Sequence, residues 1–101
     1  GRVRRAIERL ARAIRADGAA PVLVISPMLE GWGRYRWSAI HAFVREAAEG
    51  AGFRVVDPLE AWRGHARPEA LRAPGDAIHY GPDGHRALAG VVAAAVRAAR
   101  R

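Results

Sequence analysis

The residues best suited to chemistry lie together in Gly75-Asp76-Ala77-Ile78-His79-Tyr80-Gly81-Pro82-Asp83-Gly84. A carboxylate three residues ahead of a histidine, within one turn, can accept from Nδ1 and hold the other ring nitrogen outward. Such a pair is an acid–base element. The imidazole takes a proton from an attacking group, and the carboxylate steadies the imidazolium that results. Plainer roles compete for both residues: Asp76 follows Gly75 and also reads as a turn residue, and His79 as a loop histidine at the surface or capping a helix.

A nucleophile to match this pair is missing. The serines are Ser26, at a strand end before Pro27, and Ser38, inside a helical stripe. Neither has the setting of an activated hydroxyl. There is no cysteine to supply a thiolate or a disulfide. Asp76, His79, Asp83 and His85 could be joined into a metal site, but their spacing fits no common zinc pattern, and a carboxylate in a first helical turn ordinarily serves the dipole. Neither a metal nor any other cofactor is expected. His85 reads as structural or exposed, and His41, on a helix, and His65, in a loop, have no partner motif. Trp32, Tyr35 and Trp37 flank a loop on the carboxyl edge of a strand, where α/β sites form. They suit either an acyl or sugar pocket, or a core position for Trp37 with the other two covering the loop.

The surrounding elements follow from periodicity. Val3, Ile7, Leu10 and Ile14 make an amphipathic stripe, and Asp17-Gly18 ends that helix. Pro21 to Pro27 encloses an apolar run that reads as a strand buried on both faces. Met28 to Arg36 reads as a loop. A second helix is expected from about Tyr35 to Glu49, with Trp37, Ile40, Val44 and Ala47 inward. Phe53 to Asp57 reads as a second strand. Residues 58–75, with three prolines and two glycines, read as irregular apart from one helical turn near Leu59 to Trp62. The last helix opens at Gly81-Pro82-Asp83 and turns Leu88, Val92, Ala95 and Ala99 inward. Two strands joined by a helix imply parallel pairing. The fold class is therefore α/β, a partial three-layer αβα arrangement of two parallel strands with flanking helices. Two strands are too few for such a sheet alone, so the unpaired side of the first strand is an expected association edge.

Asp76-Ala-Ile-His79, continued by Tyr80-Gly-Pro82-Asp-Gly84-His-Arg-Ala-Leu-Ala89 and the helix, resembles the closing block of the SGNH/GDSL-type serine ester hydrolases. The order of a Pro-Val-Leu-Val-Ile-Ser-Pro strand, a helix and a Val-Val-Asp strand fits as well, so the likeness spans nearly the whole chain. Gly81 stands where that family commonly has Asn, a tolerable exchange at a helix cap. The resemblance implies a flavodoxin-like SGNH domain of which residues 1–101 are the C-terminal part, with His79 as general base and Asp76 as its orienting partner. It implies an ester or acylated small-molecule, carbohydrate or lipid substrate, cleaved through an acyl-enzyme without cofactor. It also implies a serine in a Gly-Asp-Ser block and oxyanion donors from a glycine and an Asn. None of these is present, and the sequence has no Asn at all. Without nucleophile and oxyanion donors the rate should fall by several orders of magnitude, so the chain alone is expected to be inactive.

Composition sets the outer limits. Half of the residues are apolar and 27% are charged, which is a globular balance and not a disordered one. The net charge of +7 raises the question of nucleic acid or an anionic membrane surface. All 17 basic residues are arginine, however, beside abundant alanine, a pairing that GC-rich coding produces unaided. No nucleic-acid partner is expected. No signal peptide is visible, and no apolar run reaches the ~18 residues of a spanning helix.

Overall fold

The computed structural model describes residues 1–100. Helix α1 spans Arg2–Ala16, strand β1 Val22–Val24, helix α2 Ser38–Gly50 and strand β2 Arg54–Val56. Three further helices follow: α3 (Leu59–His65), α4 (Pro68–Leu71) and α5 (Pro82–Ala99). The two strands pair in parallel, with Val22, Leu23 and Val24 opposite Arg54, Val55 and Val56. The Ile25 amide extends the ladder by donating to the Val56 carbonyl at 2.9 Å. The fold is thus of mixed α/β type with one parallel strand pair.

Side chains alternate across a strand, and the two faces have different cover. Leu23 and Val55 point to α1 and α2, where Ala11, Ala48 and Phe53 form a small core with Ile7 and Ile14. Arg54 and Val56 face the other way and share a cavity with Val91, Ala94, Ala95 and Ala98 of α5. A second and larger core lies beyond the strand ends: Leu29, Trp32, Tyr35, Leu59, Trp62 and Leu71, with Tyr80, Leu88 and Val91 packed on it. Burying each large side chain there contributes about 1.5–3 kcal/mol. Most of the aromatic surface is spent in this cluster, directly beneath the loops at the carboxyl ends of the strands.

Three local readings change. The loop after β1 contains a 3-10 turn at Trp32–Arg34, and α2 starts at Ser38 and not at Tyr35. Residues 58–75 hold two short helices, the first extending the single turn expected near Leu59 to Trp62 and the second lying where irregular chain was expected. Asp57 explains the first of these, because its Oδ1 accepts from the Leu59 amide at 3.2 Å and starts α3 just after Pro58. Several stripe residues are also outside. Val3 and Leu10 are about half exposed, Ile40 is 57% exposed and Val92 41%, while Ala11, His41, Ala48 and Ala95 take the inward positions.

On α1 the flank toward α2 carries Arg4, which pairs with Glu46, and Arg15, whose Nη1 donates to the Ala51 carbonyl. Val3 and Leu10 of the same helix are exposed. On α5, Val96 and Ala99 line a cavity with Gly18, Ala19 and Ala20, the segment that enters β1. The α5 side thus carries apolar side chains beside the segment that enters β1, a strand with one partner among the described residues.

One glycine fixes how α5 enters the fold. A Cβ on Gly84 would overlap the Leu71 carbonyl, so the first turn of α5 rests directly on the end of α4. The Gly81 amide donates to that same carbonyl at 2.9 Å.

Candidate functional site

Asp76 and His79 sit in a short loop between α4 and α5 whose ends are closed by backbone bonds. Arg72 and Tyr80 form an antiparallel bridge, and the Ala73 amide donates to the His79 carbonyl at 2.8 Å. Gly75, at φ 73°, supplies the left-handed residue that turns the chain into Asp76. Inside this loop the Asp76 carboxylate is used on both sides. Oδ1 accepts from the amides of Ile78 at 2.9 Å and His79 at 3.2 Å. Oδ2 accepts from Nδ1 of His79 at 2.5 Å.

The Ile78 amide, the His79 side chain and the His79 amide, in that order, hold the Asp76 carboxyl below its usual value. An ionised Asp76 keeps the proton on Nδ1 and leaves Nε2 as the outward nitrogen. That nitrogen makes no hydrogen bond among the described residues, and the His79 side chain is 75% exposed. The geometry is that of an oriented base with its reactive atom turned to solvent.

The remaining sequence candidates fall elsewhere. Ser26 is exposed and shares a 2.6 Å hydrogen bond with the Tyr80 hydroxyl, so its oxygen is engaged one residue away from His79 and not by its imidazole. Burial pushes the Tyr80 phenol up, and the bond to Ser26 opposes the shift in part. Ser38 donates to the Tyr35 carbonyl at the start of α2, as a local structural residue does. Asp83 pairs with Arg86, and among the described residues no three His, Asp or Glu side chains gather as a metal site would require. His85 lies near the Tyr80 ring in the first turn of α5, and His65 is exposed at the end of α3. Trp32 and Tyr35 are core residues, and Trp37 is half-buried under the Arg36 guanidinium. Trp37, with Glu30, Gly31, Arg34 and Arg36, borders a cavity of about 250 Å³.

His41 is the residue that sequence reasoning misjudged. It does have a partner: its Nδ1 donates to Asp57 Oδ2 at 2.7 Å, and its Nε2 lies 2.9 Å from the Tyr35 hydroxyl. The Tyr35 oxygen in turn accepts from the Met28 amide at 2.7 Å. His41 and Tyr35 are both buried, and desolvation pushes the Tyr35 phenol up. No motif announces this pair, because its members are 16 positions apart on different elements. A faint signal exists: a histidine on the inward side of α2 and an aspartate closing a strand both need partners if buried.

Comparison with known proteins finds no match among family models, curated proteins or solved structures. The functional reading therefore stands on the geometry of the loop and on the pattern of residues within it.

Proposed function

We propose that this chain is the C-terminal part of an SGNH/GDSL-type serine ester hydrolase and supplies the acid–base half of its catalytic triad. One observation carries the reading. Asp76 clamps His79 by Nδ1 within a four-residue turn, and Nε2 is left open toward solvent. In the complete enzyme Nε2 takes the proton of the serine hydroxyl as it attacks the ester carbonyl. Asp76 stabilises the imidazolium, which then protonates the leaving alkoxide, and water repeats the sequence on the acyl-enzyme. Substrates are esters of small molecules, acylated sugars or lipids, and the chemistry of the pair needs no cofactor.

The wider fold reading is a partial three-layer αβα domain of flavodoxin-like type. In favour are the helices on both faces of the strand pair, the β1 edge that has no strand beside it among the described residues, and the exposed apolar residues Val3, Leu10, Val92 and Val96 on the flanking helices. A polypeptide carrying the Gly-Asp-Ser block would add its strands there. The cavities described above are lined by neither Asp76 nor His79, which suits a site whose other wall belongs to that polypeptide.

The test is nitrophenyl acetate hydrolysis by the chain alone and after co-expression with a Gly-Asp-Ser-bearing N-terminal half. Turnover only in the combination, abolished by His79→Ala, is the expected result. Turnover by the chain alone that survives His79→Ala sinks the proposal. The same β1 edge favours a second reading, a non-catalytic module that associates with itself or a partner through this edge. Elution as a well-behaved monomer at high concentration argues against that one.

A further inference from the structure

We infer that Tyr35, His41 and Asp57 form a buried clamp that positions the Asp76–His79 pair through the backbone of Met28 and Leu29. None of the three touches the pair directly. They are positioning residues, and the path to the pair alternates hydrogen bonds with the backbone links from Met28 to Leu29 and from Ala77 to its neighbours.

The path starts at Asp57, which closes β2. Its Oδ1 caps α3 at the Leu59 amide, and its Oδ2 accepts from His41 Nδ1 at 2.7 Å. A carboxylate only accepts, so the neutral ring carries its proton on Nδ1 and presents Nε2 as an acceptor. Tyr35 donates its hydroxyl proton to that nitrogen at 2.9 Å, and the same oxygen accepts from the Met28 amide at 2.7 Å. Every donor and acceptor along the path is used once, and among the described residues no buried side-chain polar atom is left without a partner.

Met28 is held a second time, because its carbonyl accepts from Trp32 Nε1 at 2.8 Å. The next residue, Leu29, is fully buried and passes the constraint onward. Its amide donates to the carbonyl of Ala77 at 2.8 Å, and its own carbonyl accepts from Arg72 Nη1 at 3.1 Å. Ala77 lies between Asp76 and His79, and Arg72 begins the loop that carries them. The active turn is thus fastened on its inner side to a peptide that the clamp fixes.

An apolar side chain at position 41 would fill the same space with no directional demand. A hydrogen-bonded path specifies one position for Met28, because displacement leaves buried groups unpaired. Catalytic groups depend on such support, since misplacement of a base by a fraction of an ångström to 1 Å costs rate. The functional weight of the clamp rests on the acid–base reading of His79. Its geometry does not.

Nitrogen and carboxyl NMR on the full chain tests it. The unaltered protein is expected to hold neutral His79 in the Nδ1–H tautomer, which free imidazole side chains disfavour, and to titrate Asp76 below 3.8. Tyr35→Phe removes only the hydroxyl. It is expected to shift His79 toward the Nε2–H tautomer and to move the Asp76 midpoint up toward 3.8. Ile14→Ala, which truncates the separate core under α1, should lower stability and leave both readouts unchanged. Unchanged readouts in Tyr35→Phe, or equal changes in Ile14→Ala, overturn the inference.

If Tyr35→Phe does not fold, hydrogen exchange on the unaltered protein decides. The Met28 and Leu29 amides should exchange at one common rate, and a Leu29 amide exchanging tenfold or more faster overturns the inference. Failure of the hydrolase reading looks different. It shows as absent His79-dependent turnover in the combined protein, with the tautomer and the carboxyl titration still responding to Tyr35→Phe.

Discussion

Replacing Gly84 by alanine sets two effects of opposite sign against each other. Gly84 is the third residue of an 18-residue helix, and alanine in place of glycine in a helix gains about 1 kcal/mol by propensity. Propensity alone therefore makes Gly84→Ala stabilising. The packing says otherwise. The new Cβ would overlap the Leu71 carbonyl and press on the Tyr80 ring, and the carbonyl belongs to backbone that cannot rotate aside. Relief requires α5 to lift from α4, which costs about 1–3 kcal/mol as overpacking. It also stretches the bond from the Gly81 amide to Leu71, worth about 1 kcal/mol. The net expectation is a loss of about 1–3 kcal/mol, or roughly 5–20 °C in Tm at this chain length. Gly90 lies in the same helix with nothing within 4 Å of its would-be Cβ. Gly90→Ala should therefore gain the propensity term alone, about 1 kcal/mol. Urea and thermal unfolding followed by circular dichroism measures both. A Gly84→Ala protein as stable as the parent, or more so, would refute the packing argument.

Two other outcomes follow from charge and exposure. Because the Asp76 carboxyl titrates lower in the folded chain than its ordinary 3.8, its contribution to stability is full above that value and is lost as pH falls through the lowered one. Asp76→Asn should therefore flatten the acid limb of a stability-versus-pH curve and lower stability above pH ~5, where the contribution is full; an unaltered acid limb would mean that the pair contributes nothing to folding. Charging two exposed apolar positions of the flanking helices, by Leu10→Glu together with Val96→Glu, should abolish any concentration-dependent association seen by light scattering. Association that persists in this variant must use another surface.

Much of the architecture was readable because its determinants are local. The stripes, the proline-bounded runs and the Gly81-Pro82-Asp83 start place α1, both strands and α5 to within a few residues. Asp76 and His79 were readable for the same reason, since a spacing of three residues sets them within one turn. His41 and Asp57 meet only once α2 has packed beside β2, and no spacing rule reaches that far. Period also identifies an apolar flank without saying what covers it. Val3, Leu10 and Val92 keep helical spacing, yet they stay exposed because the sheet between their helices has two strands. In the segment 58–75 the turn near Leu59 to Trp62 was read but its extension and α4 were not, because prolines and glycines suggested loop, while Asp57 accepts from the first amide of α3.

All of the Asp76 partners lie within three residues of it, and this bears on how the protein assembles. Closing so small a ring removes little chain entropy, whereas the 16-residue span from His41 to Asp57 removes more. The loop can therefore draw its acid and base together early, on the timescale of tight turns, before the strands have found each other. What comes late is its anchorage. Until Leu29 reaches Ala77, the pair closes only in passing, and the slow, long-range part of folding is what keeps it closed.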